Sequence, residues 1–143
     1  MDGTIFLRLA VGIRLIQGTQ DNVFSWERMV EFAAFLDAHG FPLPLVSAVV
    51  SAWAQFLCGI CFVLGLGARP TGALMAVNFL VALGAVHLRA GDDFLTTWPA
   101  AMMLAGALFL LCNGAGAYSL DRLLARRRGA ADAVSGRNAP QHA

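Results

Sequence analysis

The spacing in this chain that most directly invites chemistry is Cys58-Gly-Ile-Cys61, because a Cys-x-x-Cys pair can cycle between dithiol and disulfide. Reactive pairs of this kind usually sit at a helix N-terminus, where the dipole favours the thiolate. This pair lies in the middle of an uncharged apolar stretch that offers no such help. A structural role as small apolar side chains is the favoured reading for Cys58 and Cys61. A second set consists of polar residues inside apolar runs: Arg14 and Gln17, then Gln55, then Asn78 and His87. Arg14 offers fixed positive charge, the amides offer hydrogen bonds, and His87 offers a ring that both bonds and titrates. Each also has a plain use. An arginine can snorkel to the membrane face, an amide can bond across helices, and a histidine near a span end can meet interfacial water. For Arg14 the two readings balance. For Gln55 and Asn78 packing is favoured, and for His87 the interface. No nucleophile–base–orienter set, haem-ligand pair, zinc-spaced Cys/His cluster or Gly-rich phosphate loop occurs, so no metal site is expected. The residues leave open whether the chain is an enzyme.

The elements that must hold these residues are apolar helices. Of 143 residues, 58% are hydrophobic and 13% charged, against about 25% charged in soluble domains. A net charge of +1, with no basic patch interleaved with aromatics, gives no case for a nucleic-acid partner. The stretch Leu45 to Leu66 carries no charge and reaches the roughly 20 residues that a bilayer requires. On a helix its Ser47, Ser51, Gln55 and Cys58 form one stripe with Gly59 beside it, a face suited to other helices rather than lipid. Thr4 to Gly18 is a shorter run in which Arg8 is expected to snorkel towards the start and Arg14 towards the end. Thr71 to about Leu88 and about Thr96 to Leu111 complete four spans, with Gly72 and Ala76 allowing close approach and Trp98 in the interfacial belt. Ser25 to Ala38 reads as a short surface helix, capped by Ser25 and ended by Gly40. Its Trp26, Met29, Val30, Ala33 and Leu36 gather largely on one side.

The expected fold is therefore all-α, an integral membrane four-helix transmembrane bundle over residues 1–123 with a surface helix at about 25–38. A basic tail, 124–143, is expected to be disordered. Arg69, Arg122 and Arg126 to Arg128 place both termini in the cytoplasm by the positive-inside rule, and put Glu27 to Asp37, Asp92 and Asp93 outside. The expected location is the cytoplasmic (inner) membrane, with the lipid bilayer as first partner.

Asn113-Gly-Ala-Gly-Ala-Tyr-Ser-Leu-Asp121 resembles the G-x-G-x-Y-S-L-D ending of the DoxX family of small membrane proteins. Other pieces follow in register from about residue 8 to 123. Arg8-Leu-Ala-Val-Gly12 with Gly18 is similar to the family's first helix, and His39 to Pro44 to the loop before its second. Gln55-Phe-Leu-Cys-Gly59, Leu64-Gly65-Leu66 and Arg69 resemble its E-x-x-G-G…L-G-x-x-x-R pattern. His87-Leu-Arg-Ala-Gly91 with Phe94 resembles its H-x-x-x-G-F stretch. There are departures: Gln17 and Asp21 stand where the family often has histidine and lysine, Gln55 replaces a glutamate and Cys58 a glycine. An amide cannot shuttle a proton as a carboxylate does.

The resemblance implies a four-helix membrane subunit serving quinone-linked redox metabolism, with a redox partner protein, and leaves homo-oligomerisation open. Rival readings are a non-enzymatic scaffold or assembly factor for a redox enzyme, and a small transporter or channel. No cofactor is evident from the residues themselves; a quinone is the one the resemblance implies. On this reading Arg14, Gln17, Gln55 and His87 are expected to line a cleft in the outer half of the membrane. The Ser25 to Ala38 helix would roof it, and a quinone-like carbonyl or a small anion would occupy it.

Overall fold

The computed structural model describes residues 3–116 and 118–137. Glycines set how closely its helices approach. Helix α1 (Thr4–Phe24) runs antiparallel to α3 (Pro44–Leu64) and meets it where Gly12 faces Gly59. A Cβ on Gly12 would lie 2.8 Å from the Gly59 carbonyl oxygen, and one on Gly59 would lie 2.9 Å from that of Gly12. Neither position accepts a larger residue unless the helices separate. Helix α4 (Ala68–Val81) continues into a π-helical segment, Ala82–His87, and a last turn, α5 (Leu88–Ala90). It is clasped against α6 (Phe94–Asn113) at Gly72, where a Cβ would come within 2.8 Å of the Ala107 carbonyl. Between α1 and α3 lies α2 (Trp26–Ala38), and α7 (Leu120–Arg137) follows α6.

Local chemistry accounts for the boundaries. Pro44 opens α3 in its first turn, where a missing N–H is no loss. The left-handed Gly65 and Gly67 end α3 and turn the chain into α4. Asp93 caps α6 by accepting the Thr96 N–H.

The packing is that of a membrane protein. Leu15, Phe62, Met75 and Leu110 are fully buried in one core, and Met29, Ala33 and Leu36 of α2 meet Ala48 and Ala52 of α3 in another. Outward-facing positions are apolar as well, among them Ile13, Leu57, Ile60, Leu80 and Leu108. Three helices, Pro44–Leu64, Ala68–His87 and Phe94–Asn113, are long and apolar enough to cross a membrane.

Four expectations change. The first apolar run does not stop at Gly18: α1 continues to Phe24, and Thr19 returns its hydroxyl to the Leu15 carbonyl. Polar residues extend this helix because its own backbone bonds, and not its apolarity, sustain it. The third run is not one regular helix, since it loosens into the π segment. On α2, Trp26 and Val30 face outwards while Met29, Ala33 and Leu36 face in. The expected disordered tail is helical as far as Arg137, in a stretch rich in the strong helix formers Leu, Ala and Arg with Asp121 in the first turn. Residues 138–143 lie outside the described residues.

Candidate functional site

Polar side chains collect in two places, one at each end of α1. The first is a hydrogen-bonded lock. Arg8 does not snorkel: it is 4% exposed and donates from Nη1 to the Ala115 carbonyl at 2.7 Å. Gly65 makes the room, because a Cβ there would lie 2.5 Å from Arg8 Nη1. Asp121 then ties two turns together. Its Oδ1 accepts the Gly67 N–H at 2.9 Å, and its own N–H donates to the Gly65 carbonyl at 3.2 Å. Ser119 donates its hydroxyl to the Gly116 carbonyl. The Gly-rich exit and the α3–α4 turn are thus stitched around one buried guanidinium. An open groove of about 630 Å³ runs over the surface of this lock, past Arg69 and Arg122.

The second place is a half-open cavity of about 720 Å³ lined by α1, α2, α3, α4 and the π segment. Arg14, Gln55 and His87 all line it. Gln17 does not; it is exposed and points elsewhere. Helix geometry explains the split. At about 100° per residue, Gly18, Asn22 and Thr19 fall within roughly 140° to one side of Arg14, and Gln17 falls about 60° to the other. From α2 and the loop after it come Phe32, Phe35, Leu36 and Phe41, so the short helix forms one wall.

Arg14 lies back along its own helix over Gly18, where a Cβ would be 2.9 Å from Nη1. Among the described residues it has no ion-pair partner. Gln55 donates to Ser51 Oγ at 3.1 Å, and Ser51 donates to Asn78 Oδ1 at 2.9 Å, a polar ladder across α3 and α4. The ladder occupies part of each amide and leaves the Gln55 oxygen and the Asn78 nitrogen for the cavity.

His87 ends the π segment, whose last bond runs from the Leu88 N–H to the Leu83 carbonyl. One extra residue per turn rotates everything after it, and such insertions recur at functional sites. Left-handed Gly91 then folds the chain back. Asp92 is thereby bonded twice to His87: its N–H to the His87 carbonyl at 3.2 Å, and its Oδ2 to Nδ1 at 2.7 Å. Sequence reasoning missed this partnership, as well as Thr19 and Asn22. The signal was a histidine followed five residues later by an aspartate just past a glycine.

The thiols lie apart from both places. Cys58 is buried in the core beside Phe62, Cys61 is half-buried, and Cys112 is exposed; all three are free. Among the described residues no group of three His, Cys, Asp or Glu side chains is placed to hold a metal ion.

Comparison with known proteins gives a family match. The model of the DoxX family covers residues 3–88, from the start of α1 to the turn after the π segment, and stops short of α6 and the Gly-rich exit. No curated protein and no solved structure matches the chain.

Proposed function

The chain belongs to the DoxX family, and from that premise we propose that it is a four-span membrane subunit serving quinone-linked redox metabolism together with a partner protein. Its ligand site is the cavity at Arg14, Gln55 and His87. The observation that carries this reading is the convergence of a guanidinium with no ion pair among the described residues, amides and a histidine on one cavity between apolar helices. Charge placed within a membrane bundle faces the interior or a polar cavity, and there it marks a binding site or pathway. The size suits a small aromatic head group, and cavities of this kind occur between the helices of bundles. Phe32, Phe35 and Phe41 provide apolar faces for a ring, while Arg14 donates to a ring oxygen.

In this proposal α1 is the fourth span. Its 21 residues reach about 30 Å at 1.5 Å per residue, the thickness of the hydrocarbon core. Both of its arginines avoid lipid, Arg8 in the lock and Arg14 on the cavity. Arg69 and Arg122 sit at the lock end, which the positive-inside rule assigns to the cytoplasm. The cavity then belongs to the outer half of the cytoplasmic membrane.

The test is photo-crosslinking with an azido-benzoquinone in native membranes, followed by peptide mapping. Label on the Arg14 to Asn22 stretch and around His87 supports the reading. Label confined to outward-facing positions such as Leu57 and Leu108 contradicts it. The topology is tested separately with an impermeant maleimide on single cysteines at positions 69 and 92, in a background without the native thiols. Labelling at 92 alone is expected in intact cells, and labelling at 69 alone would invert the orientation.

A further inference from the structure

We infer that the cavity opens sideways into the bilayer through a slot between α3 and α4, and that its ligand is an amphiphile whose polar head sits at Arg14 and whose apolar chain leaves through the slot into hydrocarbon. This deepens the quinone reading above and rests on it for the identity of the head.

Two rows of side chains bound the slot. On α3, Val46, Val50, Trp53 and Leu57 follow one another at helical spacing and are all exposed, which makes them the lipid-facing row of that helix. On α4, Leu74, Val77 and Val81 form the corresponding row. Val50 and the three α4 residues also line the cavity, whereas Val46, Trp53 and Leu57 do not. A residue that belongs both to a lipid-facing row and to a cavity wall stands at an opening between them. The next position inwards on each helix is polar. Ser51 lies beside Val50 and Asn78 beside Val77, and the two are joined by the 2.9 Å bond. The slot thus has apolar lips over a polar floor.

Packing explains why the helices part here. Helix α3 is drawn to α1 at Gly12 and Gly59, and α4 to α6 at Gly72, so the closest approaches lie within these two pairs. Between the pairs, Phe62 and Met75 are fully buried in a shared core towards the lock. Beyond that core the Ser51–Asn78 bond bridges α3 and α4 under the lips. From Leu74 to Val81 the lips cover about 10 Å at 1.5 Å per residue, roughly a third of a ~30 Å hydrocarbon core. The other approach is covered: Phe32, Phe35 and Phe41 wall the cavity on the α2 side, and α2 is packed on Ala48 and Ala52.

A bilayer gives this arrangement its meaning. An apolar chain gains little by moving from lipid to protein, because both are hydrocarbon. Binding energy must then come from the head, at Arg14 and the amides, and the chain requires only an exit that leaves the bundle intact. The slot is that exit, so the ligand arrives from the membrane and not from water.

The test reconstitutes the full chain in vesicles of a phosphatidylcholine that carries a diazirine midway along one acyl chain, followed by irradiation and peptide mapping. Label is expected on Ser51, Ala54 and Asn78 as well as on the outward-facing Leu57 and Leu108. Label on Leu57 and Leu108 with none on Ser51, Ala54 or Asn78 overturns the inference, whatever the head group is. Val77→Trp and, separately, Leu74→Trp fill the slot at exposed positions, and the unfolding midpoint of each is recorded. Both should lose the label at Ser51 and Asn78 and keep it at Leu57 and Leu108; floor label that persists in both overturns the slot. The second arm uses a benzoquinone whose decyl chain ends in a diazirine, with and without an excess of the unreactive analogue. Competed label at Leu74 and Val77 is expected. Competed label on α2 or the loop after it overturns the inference and leaves the quinone reading standing. Acyl-chain label on the slot floor, with no competed quinone label anywhere, upholds the slot and overturns the quinone reading instead.

Discussion

Arg8 and Arg14 lie six residues apart on one helix, and their surroundings are opposite. Arg8 is buried, bonded to a carbonyl 107 residues along the chain, and fitted against the glycine that ends α3. Arg14 is exposed to a cavity, lies over a glycine of its own helix and has no ion-pair partner among the described residues. Arg8 is committed through Nη1 to holding the fold, although its buried Nε has no partner among the described residues. A guanidinium at a cavity wall, as at Arg14, retains the capacity to bind. The same side chain therefore serves stability at one end of α1 and recognition at the other, and the distinction lies wholly in what the neighbouring helices present.

The largest effect expected from breaking this contrast is at the lock. Arg8→Ala leaves the Ala115 carbonyl unpaired and opens a void, and should cost about 3 kcal/mol. Gly65→Ala should cost a similar ~3 kcal/mol, since it adds a Cβ against Arg8 at a left-handed backbone position. Thermal unfolding in detergent measures both, and an unchanged midpoint would remove the lock from the account. Next comes Asp121→Ala, which frees the Gly67 N–H and should cost about 1–2 kcal/mol. Replacing Cys58 and Cys61 together by alanine probes the core between the two places. A loss of about 1 kcal/mol is expected from truncating the buried Cys58, with quinone retention unchanged. A trapped disulfide in the wild type, together with lost retention in the double variant, would give the pair a role that the comparison does not include.

The smallest effect is in pH and lies at the cavity end. Asp93, which caps α6 beside the His87 turn, has its carboxyl held below the ordinary 3.8 by bonds from the Thr96 hydroxyl and N–H. A depressed folded value means that the contribution is fully present above the unfolded value and is lost as pH falls through the folded one. Amide exchange at Thr96 and Thr97 should therefore quicken, relative to the intrinsic rate, as pH is lowered below about 4. Exchange at Thr96 and Thr97 that follows the intrinsic rate throughout that range would mean that Asp93 is no special cap.

Much of this architecture was legible in the chain. The second span ends within two residues of its expected limits, and Gly72 meets its neighbour as small residues in apolar helices do. Ser25 and Gly40 bracket α2 as their types dictate. Arg14, Gln55 and His87 share a cavity, an arrangement that spacing within separate helices could only suggest. Three features were hidden for physical reasons. Arg8 bonds a main-chain carbonyl, and such a partner has no residue type to read. The π segment lies in ALGAVH, apolar at every position but the last, so periodicity has nothing to mark. The extra turns of α1 are polar, and polar residues at a helix end look like loop. Gln17 was misplaced for a simpler reason: position i+3 precedes the line of a helix face by about 60°, and position i+4 follows it by about 40°.

The most direct test of the central claim is mass spectrometry of the quinone retained by gently solubilised wild type and Arg14→Ala, with the unfolding midpoint recorded on the same samples. The account predicts that Arg14→Ala keeps its midpoint, within about 0.5 kcal/mol in stability, and loses retained quinone by ~10-fold or more. An Arg14→Ala protein that unfolds early, or that retains quinone at the wild-type level, would contradict the division of labour between the two arginines.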